Sequence, residues 1–188
     1  HTFMETHPEA GAATANLRNP DGSPQYYYRR ILTPTLYFFS TPLGRLFDKY
    51  LLGLHFYKQY HYDGLDVTRV SELEQPVIAG LILRRAALDS HILDPDFRLF
   101  GIDIDLCKRL YDKGYKIYLV PDAKVVHLKT ASARKRGKLW LDRELNRSFA
   151  LYFKKHHPYA TPFLKVVMFL DLVSRIFLLY VVGREPMR

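Results

Sequence analysis

After Pro42 the apolar residues Leu43, Leu46, Phe47, Tyr50, Leu51 and Leu54 recur at helical spacing. The pattern predicts a helix from Pro42 to Tyr57, with Thr41 as its cap and proline at the first helical position, interrupted by Gly44 and Gly53. Val77 to Leu83 is a short apolar run broken by Gly80 and closed by Arg84 and Arg85, as in a buried strand, and Ala86 to Ser90 continues it as a turn or short helix. Asp105 to Lys113 predicts a further helix. Leu106 pairs with Leu110 and Cys107 with Tyr111 one turn apart, and Gly114 stands where a left-handed C-terminal residue belongs. Tyr115, Ile117 and Leu119 then alternate with Lys116 and Tyr118 as a strand. Pro121-Asp122 reads as a turn, and Lys124 to Leu128 as a second strand with Val125, His127 and Lys129 on one face. A basic loop, Arg134 to Lys138, leads into a helix from about Leu139 to Lys155.

Three segments read less regularly. Ala10 to Gln25 predicts a loop, with a dense cluster of turn formers from Asn19 to Pro24. Tyr26 to Tyr62 interleaves aromatic and basic residues, a composition that suits stacking on single-stranded bases or an amphipathic helix resting on the domain or on a membrane surface. No nucleic-acid motif accompanies it, which favours the helix. Phe163 to Val182 is the most apolar stretch and carries Lys165, Asp171, Ser174 and Arg175, which at about 100° per residue fall within one half of a helix. A spanning helix would not hold Asp171 and Arg175 near its middle. The expectation is a helix lying in a membrane interface or packed on a partner.

Composition narrows the class. With 188 residues, 48% of them hydrophobic, the chain is long and apolar enough for one folded domain and is not a disordered tail. A net charge of +9 implies attraction to nucleic acid, an anionic membrane or phosphate-bearing substrates, without choosing among them. The single cysteine, Cys107, has no partner within the chain and sits among Leu106, Leu110 and Tyr111 as a buried apolar residue. His1 to Glu5 lacks the basic head and apolar run of a secretory signal, and the chain opens without methionine, so the expectation is a fragment.

The chemistry-bearing residues cluster late. Asp103 and Asp105 form an Asp-x-Asp, whose carboxylates would suit a hard divalent ion, while at a helix start Asp105 equally serves as a cap or complements the helix dipole. Asp103 follows Gly101 and precedes the helix, the position of a turn carboxylate or of a general base held at a cleft rim. His127 is either a satisfied strand histidine or a metal ligand.

The run from Ile92 to Leu110, containing Asp94-Pro95-Asp96-Phe97, Ile102-Asp103-Ile104-Asp105-Leu106 and Arg109-Leu110, resembles family 2 glycosyltransferases, particularly their rhamnosyltransferase-like branch. Gly114-Tyr115-Lys116-Ile117, Val120-Pro121-Asp122-Ala123, Val125-Val126-His127 and Ser132 continue the likeness in register. Asn19 to Ser23, Arg84-Arg85, Arg147-Ser148, Tyr152-Phe153 and Lys155-His156 extend it, so it spans about Glu5 to His156. The resemblance implies an α/β fold, the C-terminal part of a GT-A fold, with a mixed sheet, flanking helices and a C-terminal amphipathic helix. It implies inverting transfer of a sugar, such as rhamnose, from a nucleotide-sugar donor to a glycan or lipid-linked acceptor. Asp103 falls on the family's base and His127 on a histidine that in several members helps hold a divalent ion, Mg or Mn. Arg134, Lys135 and Arg136 are then placed near donor or lipid phosphates. Ile102 stands where the family has Glu, and the family's nucleotide-binding half and its own Asp-x-Asp metal motif fall before His1. The chain therefore reads as an acceptor half, inactive by itself.

On this reading residues 1–157 form a partial transferase domain with a helical insertion at 26–62, and 158–188 a membrane-associated helix at the cytoplasmic face of the cell membrane. The competing reading is a non-catalytic basic module that binds an anionic membrane or nucleic acid through Tyr26 to Tyr62 and Phe163 to Val182. Beside the transferase reading no nucleic-acid partner is expected, and the residues do not specify an oligomeric state.

Overall fold

A computed structural model describes residues 1–128 and 137–181. Its spine is a parallel pair of strands, β1 (Ala10–Arg18) and the strand over Lys116–Val126. Between them in the chain come β2 (Tyr28–Arg29), β3 (Ser71–Leu73), β4 (Gln75–Pro76) and β5 (Leu81–Leu83), which makes Lys116–Val126 β6. The main sheet has the order β3-β6-β1-β5, with β3 and β5 antiparallel to their neighbours, and β2 pairs with β4 beside it. The helices are α1 (Thr2–Thr6), α2 (Pro34–Ser40), α3 (Pro42–Phe47), α4 (Phe56–Tyr60), α5 (Ile102–Asp112), α6 (Lys138–His156) and α7 (Thr161–Val181). The protein is thus mixed α/β, a mixed four-stranded sheet with flanking helices, and none of its described helices is long and apolar enough to cross a membrane.

The segment predicted as a loop supplies the central strand. Ala10 to Leu17 are all buried. Alanine is a weak strand former, but its small side chain lets neighbours close on both faces. Ala12 packs with Leu106, Cys107 and Leu110 of α5, while Ala10 and Ala13 meet Met4 of α1. The turn expected at Pro121-Asp122 is instead an irregularity within one strand: Ala15 faces Val120 and Asn16 faces Lys124, so Pro121 to Ala123 bulge out. Proline, lacking an amide hydrogen, is tolerated at such a place. The strand expected over Val77 to Leu83 shortens to β5, and Cys107 is buried as expected.

A second core joins the helices. Tyr37 of α2, Tyr60 of α4, Ile104 of α5, Tyr152 and Phe153 of α6, and Leu164, Val167 and Met168 of α7 form one buried cluster with Leu32 and Phe97. The buried Tyr152 hydroxyl donates to the Leu32 carbonyl at 3.0 Å. The helix expected from Pro42 to Tyr57 is broken into α3, a wide turn over Asp48–Leu52, and α4. Asp171 faces the interior at 6% exposure, while Lys165 is exposed. Among the described side chains of α7 the outer face is apolar apart from Lys165.

Candidate active site

Helix α5 begins at Ile102, not Asp105, because Gly101 takes a left-handed conformation (φ 83°) directly ahead of it. A side chain there would be strained by that φ, and its Cβ would lie 2.7 Å from Phe97 Cδ1. Both acidic residues of the Asp-x-Asp consequently sit inside the helix, on different faces, with opposite surroundings.

Asp105 is 2% exposed and held by an imidazole and a guanidinium. His156 Nε2 lies 2.8 Å from its Oδ1, and Arg109 Nε donates to Oδ2 at 2.8 Å. Burial would raise this carboxyl, but the hydrogen bonds from His156 and Arg109 and their charges outweigh it and hold the group below the ordinary range. Arg109 also bonds Asp89 and the carbonyls of His91 and Ile92, so Asp105 ties α5, α6 and the 89–92 loop together. It is neither a helix cap nor half of a metal pair.

Asp103 is partly exposed. Burial within its surroundings pushes its carboxyl above the ordinary range, opposed by the Ile104 amide, which donates to Oδ1 at 3.0 Å, by its own amide and by the charge of Arg29. Arg29, on β2, donates to the Tyr28 carbonyl at 2.7 Å and feels Tyr60, Tyr57, Asp103 and Tyr27 around it. The buried phenol of Tyr60 is raised by desolvation, which the neighbouring Arg29 opposes. A carboxylate, a guanidinium and a phenol thus converge where α5, β2 and α4 meet.

Arg29 opens onto a hollow of about 610 Å³ whose walls include Tyr26, Tyr57, Lys58, His61 and Tyr62. His61, its Nδ1 2.8 Å from the Tyr57 carbonyl, is lowered to about 4 by burial and by the charge of Arg29, so the imidazole is neutral at physiological pH. Arg30 lies 4.8 Å over the Tyr62 ring and pairs with Glu74 at 2.7 Å. The wall is aromatic and cationic, suited to an apolar sugar face and to phosphate oxygens.

His127 directly follows β6, against Gln25 and Tyr27. Gln25 directs its amide nitrogen at three acceptors, the Arg18 carbonyl, Asn19 Oδ1 and the His127 carbonyl, at 3.2, 2.8 and 2.7 Å. Its Oε1 is therefore the atom 3.0 Å from His127 Nδ1, and this network assigns the proton to Nδ1 and the lone pair to Nε2. That is the orientation of a metal-ligating histidine held by an outer acceptor.

Asp103 and His127 have different neighbours. Arg29 lies beside the first and the Tyr27 ring stands edge-on to the second, 6.2 Å between centroids. Neither lines the hollow walls named above. Among the described residues no group of three or more His, Cys, Asp or Glu is arranged to hold a metal. Arg134, Lys135 and Arg136 lie outside the described residues. Sequence reasoning missed Arg29, Tyr60 and His61; the aromatic-basic interleaving of Tyr26 to Tyr62 was their signal. Comparison with protein-family models, curated proteins and solved structures finds no match to this chain.

Proposed function

We propose that this chain is the acceptor half of an inverting, GT-A-type glycosyltransferase in which Asp103 is the general base. The observation that carries the reading is the environment of that carboxyl. It sits in the first turn of α5, raised by burial, yet beside Arg29, which favours its ionised form. A base needs both properties: enough affinity to accept a proton as the acceptor hydroxyl attacks, and a charged ground state from which to do so. Asp105, two residues on, lacks the first property, because His156 and Arg109 hold it below the ordinary range.

In this mechanism the acceptor sugar stacks on the tyrosine wall of the hollow, and its reacting hydroxyl extends past Arg29 to Asp103, which neighbours that guanidinium outside the hollow's wall. Asp103 takes the hydroxyl proton while the oxygen attacks the anomeric carbon of the nucleotide sugar, and the bond to the diphosphate breaks on the opposite face. Arg29 stabilises Asp103 before the transfer and the Tyr60 phenol, with its raised affinity for its proton, stays neutral beside it. A divalent ion, Mg or Mn, would neutralise the leaving diphosphate; His127 Nε2 fits as one of its ligands, the others coming from outside the described residues. The donor is a nucleotide sugar, with rhamnose the suggested sugar, and the acceptor a glycan or lipid-linked saccharide.

The test is transfer by the full-length polypeptide that carries this chain, followed as nucleoside diphosphate release from a panel of nucleotide sugars. Asp103→Asn should lower kcat by about 10²–10⁴-fold with little change in donor KM. Full transfer by that variant would remove Asp103 from the chemistry.

A further inference from the structure

The least expected feature of the surface is a knob of outward apolar side chains built on a buried carboxylate. Asp48, 5% exposed, accepts from the Leu54 amide through Oδ1 (2.9 Å) and from the Phe56 amide through Oδ2 (2.8 Å), while its carbonyl accepts from Gly53 at 2.7 Å. Gly53, at φ 65°, reverses the chain there. Gln59 adds a bond from its side-chain nitrogen to the Leu54 carbonyl, 2.6 Å. This closed loop leaves Tyr50 and Leu51 each 69% exposed, with Leu43, Leu46 and Leu54 each more than half exposed beside them. A turn meant for water would carry polar residues at those positions.

A second apolar face lies against it. Helix α7 turns Leu164, Val167, Met168 and Asp171 inward and presents Phe163, Val166, Phe169 and Leu170 outward, 52–65% exposed. An apolar groove of about 520 Å³ runs between α3 and α7, with Leu43, Leu46, Val167 and Leu170 on its walls. The two faces therefore form one surface.

Its charge identifies the occupant. From Pro42 to Tyr62 the acidic residue is Asp48, and from Lys154 to Ser174 it is Asp171, and both are buried. The exposed charges of these segments are cations, Lys49, Lys58, Lys154, Lys155 and Lys165; Lys58 pairs with Asp63 and Lys155 with Asp94 and Asp96, while Lys49 lies 4.9 Å over the Tyr50 ring. An apolar surface flanked by Lys49 and Lys165, whose own acidic residues Asp48 and Asp171 are buried, is complementary to anionic lipid headgroups over an acyl interior.

We propose that the Leu43 to Leu54 knob and the outer face of α7 dock together on an anionic bilayer, lying in its headgroup boundary without crossing it. This goes beyond the transferase reading and does not depend on it. The groove between the two elements takes lipid chains from the contacted leaflet.

The test is sedimentation of the full chain with sucrose-loaded vesicles of phosphatidylcholine containing 30% phosphatidylserine (about 30%, enough to set a surface potential), against pure phosphatidylcholine vesicles. Binding should favour the anionic vesicles, by about fivefold for each lysine that reaches the surface, and weaken with salt. Leu51→Gln with Phe169→Gln should weaken it at least tenfold at unchanged thermal midpoint, whereas Ile92→Gln, an exposed apolar residue elsewhere, should not. In a separate variant, Leu51→Trp fluorescence should be quenched by brominated acyl chains. Indifference to lipid charge, equal binding by the double variant, or an unquenched Leu51→Trp would each overturn the proposal. So would a dimer seen by light scattering that the double variant dissociates while vesicles are ignored, since a second copy would then cover the surface.

Discussion

Two carboxylates a single residue apart on α5 should answer the same substitution in opposite ways. Asp105→Asn removes the charge between His156 and Arg109 but keeps one acceptor oxygen. Hydrogen bonds to charged groups contribute about 1.5–3 kcal/mol, and breaking a buried pair leaves an uncompensated charge. Part of Arg109 stays satisfied by Asp89 and the carbonyls of His91 and Ile92, so we expect a loss of about 3 kcal/mol, near the top of the single-bond range. For a domain of this size that is about 6–12 °C in Tm. Asp103→Asn relieves a carboxylate that burial disfavours, and Asn retains the acceptor for the Ile104 amide. Its Tm at pH 7 should be unchanged or higher by about 1–3 °C.

The pH dependence separates the two effects. Asp105 has a folded pKa below its unfolded one, so its stabilisation is present above the unfolded value and is lost as pH falls through the folded value. The Asp105→Asn penalty should persist at pH 4.5. Asp103 is raised in the folded state, so the protein is most stable with respect to this group below the unfolded value and loses that stability as pH rises through the folded one. Any Asp103→Asn gain should therefore fade by pH 4.5. Urea denaturation at both pH values reads the four numbers. If Asp103→Asn costs as much as Asp105→Asn at pH 7, Asp103 is a structural helix residue and the physical case for it as a base is lost.

Gly101→Ala forces a left-handed alanine and drives its Cβ toward Phe97, which should cost about 2–4 kcal/mol in urea unfolding and lower transfer by moving the first turn of α5; a wild-type midpoint would refute the strain. Gln25→Met removes the acceptor that orients His127 Nδ1, and should raise the Mg or Mn concentration for half-maximal transfer by about 10–100-fold in the full-length polypeptide; an unchanged requirement would remove His127 from metal binding.

The legible parts of the chain were those whose pattern is local. Leu106, Leu110 and Gly114 mark the body and end of α5 by spacing and by a left-handed stop, and Tyr115 to Leu119 alternate as a strand does. The start of α5 was misplaced because the usual capping residues are absent there: Gly101, not a side-chain cap, sets it. The central strand was hidden for a different reason. Ala10 to Leu17 carry no strand propensity, and their small side chains acquire meaning from Met4 on one face and from Leu106 and Leu110 on the other. Pro121 resembled a turn because its missing amide argues against a ladder, yet a bulge absorbs it. Arg29, Tyr60 and His61 reach the candidate site through contacts between distant segments, which no spacing rule encodes.

The departure at Ile102 acquires a physical reading from these neighbours. Its side chain packs against the aromatic helical core that includes Tyr60 and Phe97, where the pattern that the sequence resembles has Glu. A second carboxylate beside Asp103 would raise its pKa further by repulsion. An apolar neighbour raises it by excluding water instead, opposed by the Ile104 amide, the residue's own amide and the charge of Arg29. The balance at Asp103 is therefore set by desolvation against two backbone amides and one guanidinium rather than by a pair of acids. In the proposed mechanism Arg29 is accordingly a positioning and tuning residue for the base. Its loss should move the acidic limb of the pH-rate profile upward, an effect that simple loss of acceptor binding would not produce.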